Sequence, residues 1–333
     1  MAMSDWALRP YRVGDDERVV ELWNRTLDAD PISPALFRRQ TLLDPNFAPE
    51  GCLLGERAGE SLGFALAIAP APEGGQRLFA TRQGTGRIAA LGVLPAARGR
   101  GLGTQLLEAA CGFLRGRGCG RAGVAAHEYY AAGVDKERYA AGLAFLRRRG
   151  FAETGEAVAM GRPLYDLGWP EAVREAEARL RAEGIEVRYF EPRDTYALAQ
   201  FFRAEFPTWI EFFVRKLDAR HDLDEMVIAT APDAPDAPDA PDATGERVVR
   251  VTRDMRVIGY CQHLDGDHVG PFGVAAAYRS RGIGSVMLYR LLDRMREKGY
   301  KFAWFGETGR ARSYYERAGF HVTRVYARLL RDL

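Results

Sequence analysis

Cysteine is scarce in this chain. Cys52, Cys111, Cys119 and Cys261 are the four among 333 residues, and they form no CxxC pair and no Cys/His cluster at metal spacing. A disulfide scaffold and a zinc motif are therefore not expected, and the pattern implies buried thiols in a reducing compartment. Charge of one sign is lacking too: the formal net charge is +2, so any basic site must be local rather than a general nucleic-acid or membrane surface. No run approaches 18 uninterrupted apolar residues, and the opening "MAMSDWALRP" has no apolar core of a leader peptide. A cytoplasmic protein with no membrane, nucleic-acid or metal partner is the expectation. Oligomeric state is not readable from the chain.

Two familiar phosphate motifs are also missing from the glycine turns. No glycine is followed by the Lys and Ser/Thr of a Walker loop, and the turn at Gly282 carries only the G-x-G of a G-x-G-x-x-G fingerprint. A nucleotide-binding kinase is disfavoured on that ground. What the chain does contain is R-x-x-G-x-G, twice: "ARGRGLGTQLL" at 97–107 and "YRSRGIGSVML" at 278–288, with Gly101 and Gly282 lying 181 residues apart.

Other features recur at nearly that offset. "ALRPYRVGDDERVVELWN" near the start and "EVRYFEPRDTYALAQFFR" from 186 each read as a short strand, a turn ending in an aspartate cap, and an amphipathic helix. "FLRRRGF" and "YYERAGF" match as a helix end, a glycine cap and a strand start. A repeat this long means two copies of one domain, about 160 residues each. The boundaries expected are 1–168 and 185–333, joined by a charged helix over 169–184. Each copy carries a hairpin, "GCLLGERAGESLGFALAIA" in the first and "RVVRVTRDMRVIGYCQHL", turning near Asp254 and Met255, in the second. The order of elements implies a mixed α/β (α+β) fold with a largely antiparallel sheet. The "APDAPDAPDAPDA" tract at 231–243 reads as a disordered insertion just before the second hairpin.

In each glycine turn a strand hands over to a helix; in the second, Ile283, Met287, Leu288, Leu291, Leu292 and Met295 mark one apolar face. Unpaired N–H groups and the positive end of the helix dipole make such a start an anion site, and the glycines let a phosphate approach. The dipole alone is worth about 0.3–1 kcal/mol, so several amides and an arginine must contribute.

A strand ending in Val before R-x-x-G-x-G, twice over, resembles the GCN5-related N-acetyltransferase (GNAT) family in a tandem form. The resemblance rests on "LGVLPAARGRGLG" and "FGVAAAYRSRGIG" and covers most of both halves. It implies two acyl-CoA N-acyltransferase domains with acetyl-CoA as co-substrate and no metal. By position, Val93, Arg98, Gly99, Arg100, Gly101, Leu102, Gly103 and Thr104 take the cofactor role in the first half. Val274, Ala276, Arg279, Ser280, Arg281, Gly282, Ile283, Gly284 and Ser285 take it in the second. In the family the loop amides hold the pyrophosphate and the preceding strand hydrogen-bonds the pantetheine.

The two halves differ in acid chemistry. A family pattern near N-x-x-A-x-x-F/L-Y-x-x-x-G-F matches "TGRARSYYERAGF", with Thr308 at the Asn position, and makes Tyr315 the general-acid candidate, because a phenol can protonate a departing thiolate. The matching place in the first half is Leu146, which has no proton to give. In "AHEYY" His127 and Glu128 could serve there as acid or base and Tyr130 as the phenol, although a solvated loop is the plainer reading. For the general base, Glu307 ranks first and His268 second, ahead of Asp265 and Asp267. Trp209, Phe212 and Phe213 read more readily as a packing face than as an acceptor wall. The function implied is acetyl transfer to a primary amine of a small molecule such as an amino sugar. The alternatives are a non-catalytic acyl-CoA sensor or scaffold and a protein N-acetyltransferase.

Overall fold

The protein was analysed as a computed structural model, which describes residues 6–70, 84–124, 130–210, 213–214, 223–232, 255–263, 267–306 and 308–333. His127, Glu128, Phe212, Asp265 and Glu307 lie outside the described residues, as does most of the "APD" tract.

The chain forms two compact units. The first holds Met1–Ala159, Gly306–Gly309 and Val322–Leu333; the second holds Met160–Phe305 and Arg310–His321. Neither unit is continuous in sequence, because the halves trade their final strands.

In the first unit β1 (Ala7–Pro10), β2 (Cys52–Arg57), β3 (Glu60–Ile68) and β4 (Thr85–Val93) pair antiparallel in chain order. The expected hairpin is β2–β3, and it turns on Ala58 and Gly59, both at positive φ as a tight two-residue turn requires. β4 then runs parallel to β5 (Arg121–Val124) over Thr85–Ile88. Beyond β5 the sheet continues with β13 (His321–Asp332), the last strand of the chain, in antiparallel register Leu329↔Val124 to Asp332↔Arg121. β6 (Val134–Asp135) pairs with β13 as well. Helix α1 (Asp16–Thr26) covers one sheet face with Val19, Val20, Leu22 and Trp23. A short α2 (Pro34–Phe37) follows it. α3 (Leu102–Gly116) and α4 (Ala140–Arg148) cover the other face, with Leu106, Leu107, Leu114, Leu143 and Leu146 in one core.

The second unit repeats this plan. α5 (Glu171–Ala182), the expected charged helix, ends at Gly184 with φ +76°. β8 (Glu186–Tyr189), β9 (Met226–Pro232), β10 (Met255–His263) and β11 (Val269–Val274) form an antiparallel sheet. The first arm of the hairpin expected at 247–264 lies outside the described residues. Within them β10 pairs with Met226–Pro232 on one side and, from Gly259 onward, with β11 on the other. The "MVIAT" of β9 is apolar and buried at every residue, as a strand inside a covered sheet requires. α6 (Thr195–Glu205) packs Leu198, Phe201 and Phe202 into the interior. α7 (Ile283–Glu297) buries all six residues of its expected apolar face. β12 (Phe302–Phe305) pairs antiparallel with Met160–Pro163, the end of β7 (Ala152–Pro163), and α8 (Arg312–Arg317) precedes β13.

The duplication is visible atom by atom. Asp15, at the start of α1, accepts two bonds from the Arg9 guanidinium at 2.6 and 3.0 Å and one from the Arg12 amide at 2.7 Å. Asp194, at the start of α6, accepts from Arg188 at 2.6 and 2.7 Å and from the Glu191 amide at 2.8 Å. The aspartates expected as caps therefore act one step earlier. They fix the strand-to-helix turn and leave the first-turn amides to other partners. All four cysteines are buried, and burial pushes the Cys52 thiol up to about 12. Among the described residues no helix is long and apolar enough to cross a membrane.

Candidate active site

In both halves two neighbouring strands run parallel, and in the second they touch briefly and then part. In the first half the described contact runs through Arg87↔Gly123 and Ile88↔Val124, where the described part of β5 ends. In the second half it is a single parallel bridge, His268↔Trp304, after which β11 and β12 diverge. Arg87 and His268 occupy the same place in the two copies, as do Gly123 and Trp304. A Cβ on Gly123 would lie 2.3 Å from an Arg87 guanidinium nitrogen, so a larger residue there would make the end of that side chain move. His268 instead stacks on Trp304, with centroids 4.2 Å apart and planes 18° from parallel. Asp267 fixes that indole, accepting from its Nε1 at 2.8 Å and, through its carbonyl, from the Trp304 amide at 3.0 Å. Where strands part, each keeps a row of backbone groups without a ladder partner, and an extended ligand arm can pair with them.

β4 and β11 each lead into a glycine turn. Val93 and Val274 end their strands, a 3-10 turn follows (Pro95–Ala97 and Ala276–Tyr278), and the helix opens on a left-handed glycine, Gly101 at φ +92° and Gly282 at φ +90°. A second left-handed residue sits two places earlier, Gly99 at φ +73° in one copy and Ser280 at φ +63° in the other. Serine there accepts backbone strain that glycine avoids, a cost often met at ligand-binding turns. Arg98 Nε donates to the Val93 carbonyl at 2.9 Å, and Arg279 Nε to the Val274 carbonyl at 3.1 Å. Each arginine is thus tied by one nitrogen across its loop. Neither has an ion-pair partner among the described residues. No backbone carbonyl accepts from the amides of Gly101, Leu102 and Gly103 or of Gly282, Ile283 and Gly284 among the described residues. These are the donors an anion needs.

Even the outer supports match. The Arg100 carbonyl accepts from Trp6 Nε1 at 3.2 Å, and the Arg281 carbonyl from Arg179 of α5 at 3.1 Å. Arg281 itself pairs with Glu183 and lies over the Tyr278 ring. The Ala276 amide is taken by Glu205 at 3.2 Å, and Thr104 Oγ1 accepts from Arg149 at 2.7 Å.

Tyr315 lies on α8, 7% exposed, with its ring 4.1 Å from that of Phe305 at the end of β12 and 6.4 Å from that of Phe272 on β11. It therefore belongs to the wall of the parting strands. Burial raises its phenol well above the ordinary value, so the group stays protonated through the alkaline range. Leu146 is buried in the first core. Tyr130 packs on Trp23 at 4.5 Å and shares a 2.6 Å hydrogen bond with Thr41. Phe213 is buried against Phe190 and Phe202. Trp209 stacks on Phe206 at 4.0 Å, and both lie over Gly273, where a Cβ would come within 2.7 Å of the indole. Phe206 and Gly273 belong to no motif in the sequence, although a glycine two residues after a proline in an apolar strand is a signal of close approach.

The chain is similar to known proteins in its family pattern and in its fold. The model of the acetyltransferase (GNAT) family matches residues 4–151 and 217–320. A GCN5-related glucosamine N-acetyltransferase region of a fungal multi-domain β-N-acetylglucosaminidase superposes on 99% of the chain with TM-score 0.73 at 17% identity. The chain spans 38% of the length of that protein. A GCN5-related N-acetyltransferase from Sphaerobacter thermophilus aligns over 100% of this chain and 97% of its own, with TM-score 0.62 and 19% identity. A tandem GNAT protein of the clavulanic acid biosynthesis pathway aligns over 98% of both chains, with TM-score 0.59 and 16% identity. No curated protein sequence matches. With two stretches covering well over half of its length matched, one on each glycine turn, the chain belongs to the GNAT family of acetyltransferases, in a tandem form.

Proposed function

We propose that the protein is an acetyl-CoA-dependent N-acetyltransferase whose second half carries out the chemistry on a small primary amine. The observation that carries this reading is the glycine turn of the second half, with its tethered Arg279 and unpaired amides, at the mouth of strands that part beside Tyr315. The acetyl-CoA pyrophosphate would lie on the amides of Gly282–Gly284 and its pantetheine along β11 towards His268. The neutral amine attacks the thioester carbonyl; a C–N bond forms, the C–S bond breaks, and the proton lost by the amine balances the one gained by the thiolate. Tyr315 stands as donor to the departing sulfur. A phenol held protonated by burial stabilises a thiolate by hydrogen bonding, whether or not the proton fully transfers. Glu307, and after it His268, takes the amine proton.

The first half, 1–168, has the same turn, and we read it as a binding copy. Leu146 sits in its core where Tyr315 stands in the second half, 185–333, and the Tyr130 hydroxyl is engaged with Thr41. A small-molecule acceptor accords with the glucosamine named for one structural relative. A cytosolic setting accords with four buried thiols.

The test is a panel of amino sugars, aminoglycosides, polyamines, amino acids and peptide N-termini with acetyl-CoA, followed by detection of released thiol. Turnover of a small amine supports the reading, and turnover of peptide N-termini alone would shift it to protein acetylation. CoA binding at both turns without thiol release from any amine would make the protein an acyl-CoA sensor.

A further inference from the structure

The family pattern carries Phe or Leu immediately before its tyrosine, whereas this chain carries a second tyrosine, Tyr314. The side chain does not follow Tyr315 towards β12. Its ring stacks on Phe272 of β11, centroids 6.1 Å apart and planes 27° from parallel. Its hydroxyl reaches the first turn of α7, 3.6 Å from the position a Cβ on Gly284 would occupy. The Val274 side chain borders the same point at 3.8 Å. A phenol therefore ends at the meeting point of the cofactor strand and the glycine turn.

That hydroxyl is sealed from solvent and makes no hydrogen bond of regular geometry. Ser285 is close enough to ease the phenol downward, but burial is the larger effect and leaves it well above its ordinary value. A buried hydroxyl without a proper partner destabilises the protein that carries it, so its retention calls for an explanation. The first half shows what the same place looks like without it. There Phe145 points at Gly103 in the same way, its ring 3.8 Å from the position of a Gly103 Cβ, beside Val93 at 3.6 Å. A phenyl ring satisfies the packing, and the hydroxyl of Tyr314 adds nothing to it.

We infer that Tyr314 is a cofactor-binding residue, its hydroxyl donating to a pyrophosphate oxygen of CoA where the phosphate settles on the first turn of α7. The inference rests on the acetyl-CoA reading above and deepens it. It separates the two adjacent phenols, with Tyr314 holding the phosphate end of the cleft and Tyr315 standing at the wall that faces the thioester.

Tyr314→Phe keeps the ring and removes only the oxygen. Calorimetric titration with CoA and with dephospho-CoA, which retains the pyrophosphate and lacks the 3′-phosphate, reads the effect. We expect the Kd of the second-half site to rise at least fivefold for both ligands, by the same factor. The thermal midpoint of the ligand-free variant should equal or exceed that of the wild type, because an unsatisfied hydroxyl has gone. A Kd within twofold of wild type, a loss confined to CoA, or a lowered ligand-free midpoint would each overturn the assignment. If the wild type itself bound no CoA, it is the acetyltransferase reading that would fail.

Discussion

The His268 imidazole lies flat on the Trp304 indole, 4.2 Å between centroids, at the last point where β11 and β12 touch. The histidine thus sits at the apex of the cleft, with Asp267 holding the indole beneath it. Aromatic stacking of this kind contributes about 0.5–1.5 kcal/mol, which a phenylalanine would largely retain. Comparing His268→Phe with Glu307→Gln separates the two candidate bases. We expect Glu307→Gln to lower kcat by about 100-fold, the range of a lost general base, and His268→Phe by less than tenfold. The reverse order would make His268 the base.

Tyr315→Phe tests the acid. Steady-state kinetics should show kcat falling by about 10–100-fold, with CoA affinity within twofold of wild type. Full kcat through the alkaline range would remove Tyr315 from the mechanism.

The raised phenols also predict how stability depends on pH. Tyr260, Tyr314 and Tyr315 all hold their protons more tightly when folded, because burial penalises the phenolate. The folded state therefore binds more protons than the unfolded chain once pH passes the unfolded value of about 10. Stability should be insensitive to these groups below that point and fall steadily above it. Urea unfolding between pH 9 and 11 measures this, and Tyr260→Phe, which removes one of the three, should flatten the decline.

The Arg9–Asp15 and Arg188–Asp194 pairs make the opposite prediction at low pH. The bond from Arg9 holds the Asp15 carboxyl below its ordinary range. At Asp194 burial opposes the shift, and the bonds from Arg188 and the Glu191 amide outweigh it. Stability from both pairs is complete above an unfolded pKa near 4 and is lost as pH falls through the folded values. Asp15→Asn and Asp194→Asn should each cost about 2–3 kcal/mol at neutral pH and less at pH 3, as read by urea titration at the two pH values. Equal costs at both would mean that the turns depend on shape rather than charge.

Much of this was legible in the chain because it is written twice. The repeat of R-x-x-G-x-G, each after a strand ending in Val, located both turns, and the apolar spacing from Ile283 to Met295 located α7. Other features depend on tertiary competition that no local pattern records. The pairing of Met226–Pro232 with β10 is one of them, since nothing in "MVIAT" marks the strand it will join. The exchange of final strands is likewise invisible, since β7 and β13 have the alternation any terminal strand would have. Tyr314 and Tyr315 are neighbours in sequence, and only the rotation of α8 reveals that they serve different walls.

The two left-handed glycines give the last prediction, because their surroundings differ where their torsions do not. Alanine at either position costs about 1–2 kcal/mol in backbone strain. At Gly101 that is the whole cost, since nothing lies within 4 Å of the new Cβ. At Gly282 the methyl would also meet the Ala176 Cβ of α5 at 2.9 Å, so the helix must move or the turn must open. Gly282→Ala should therefore lower the thermal midpoint more than Gly101→Ala. Ala176→Gly by itself costs about 1 kcal/mol as a glycine inside a helix. Combined with Gly282→Ala it removes the clash, so the double variant should be more stable than the sum of the singles by about 1 kcal/mol. Strict additivity would mean that α5 yields freely and does not brace the second glycine turn.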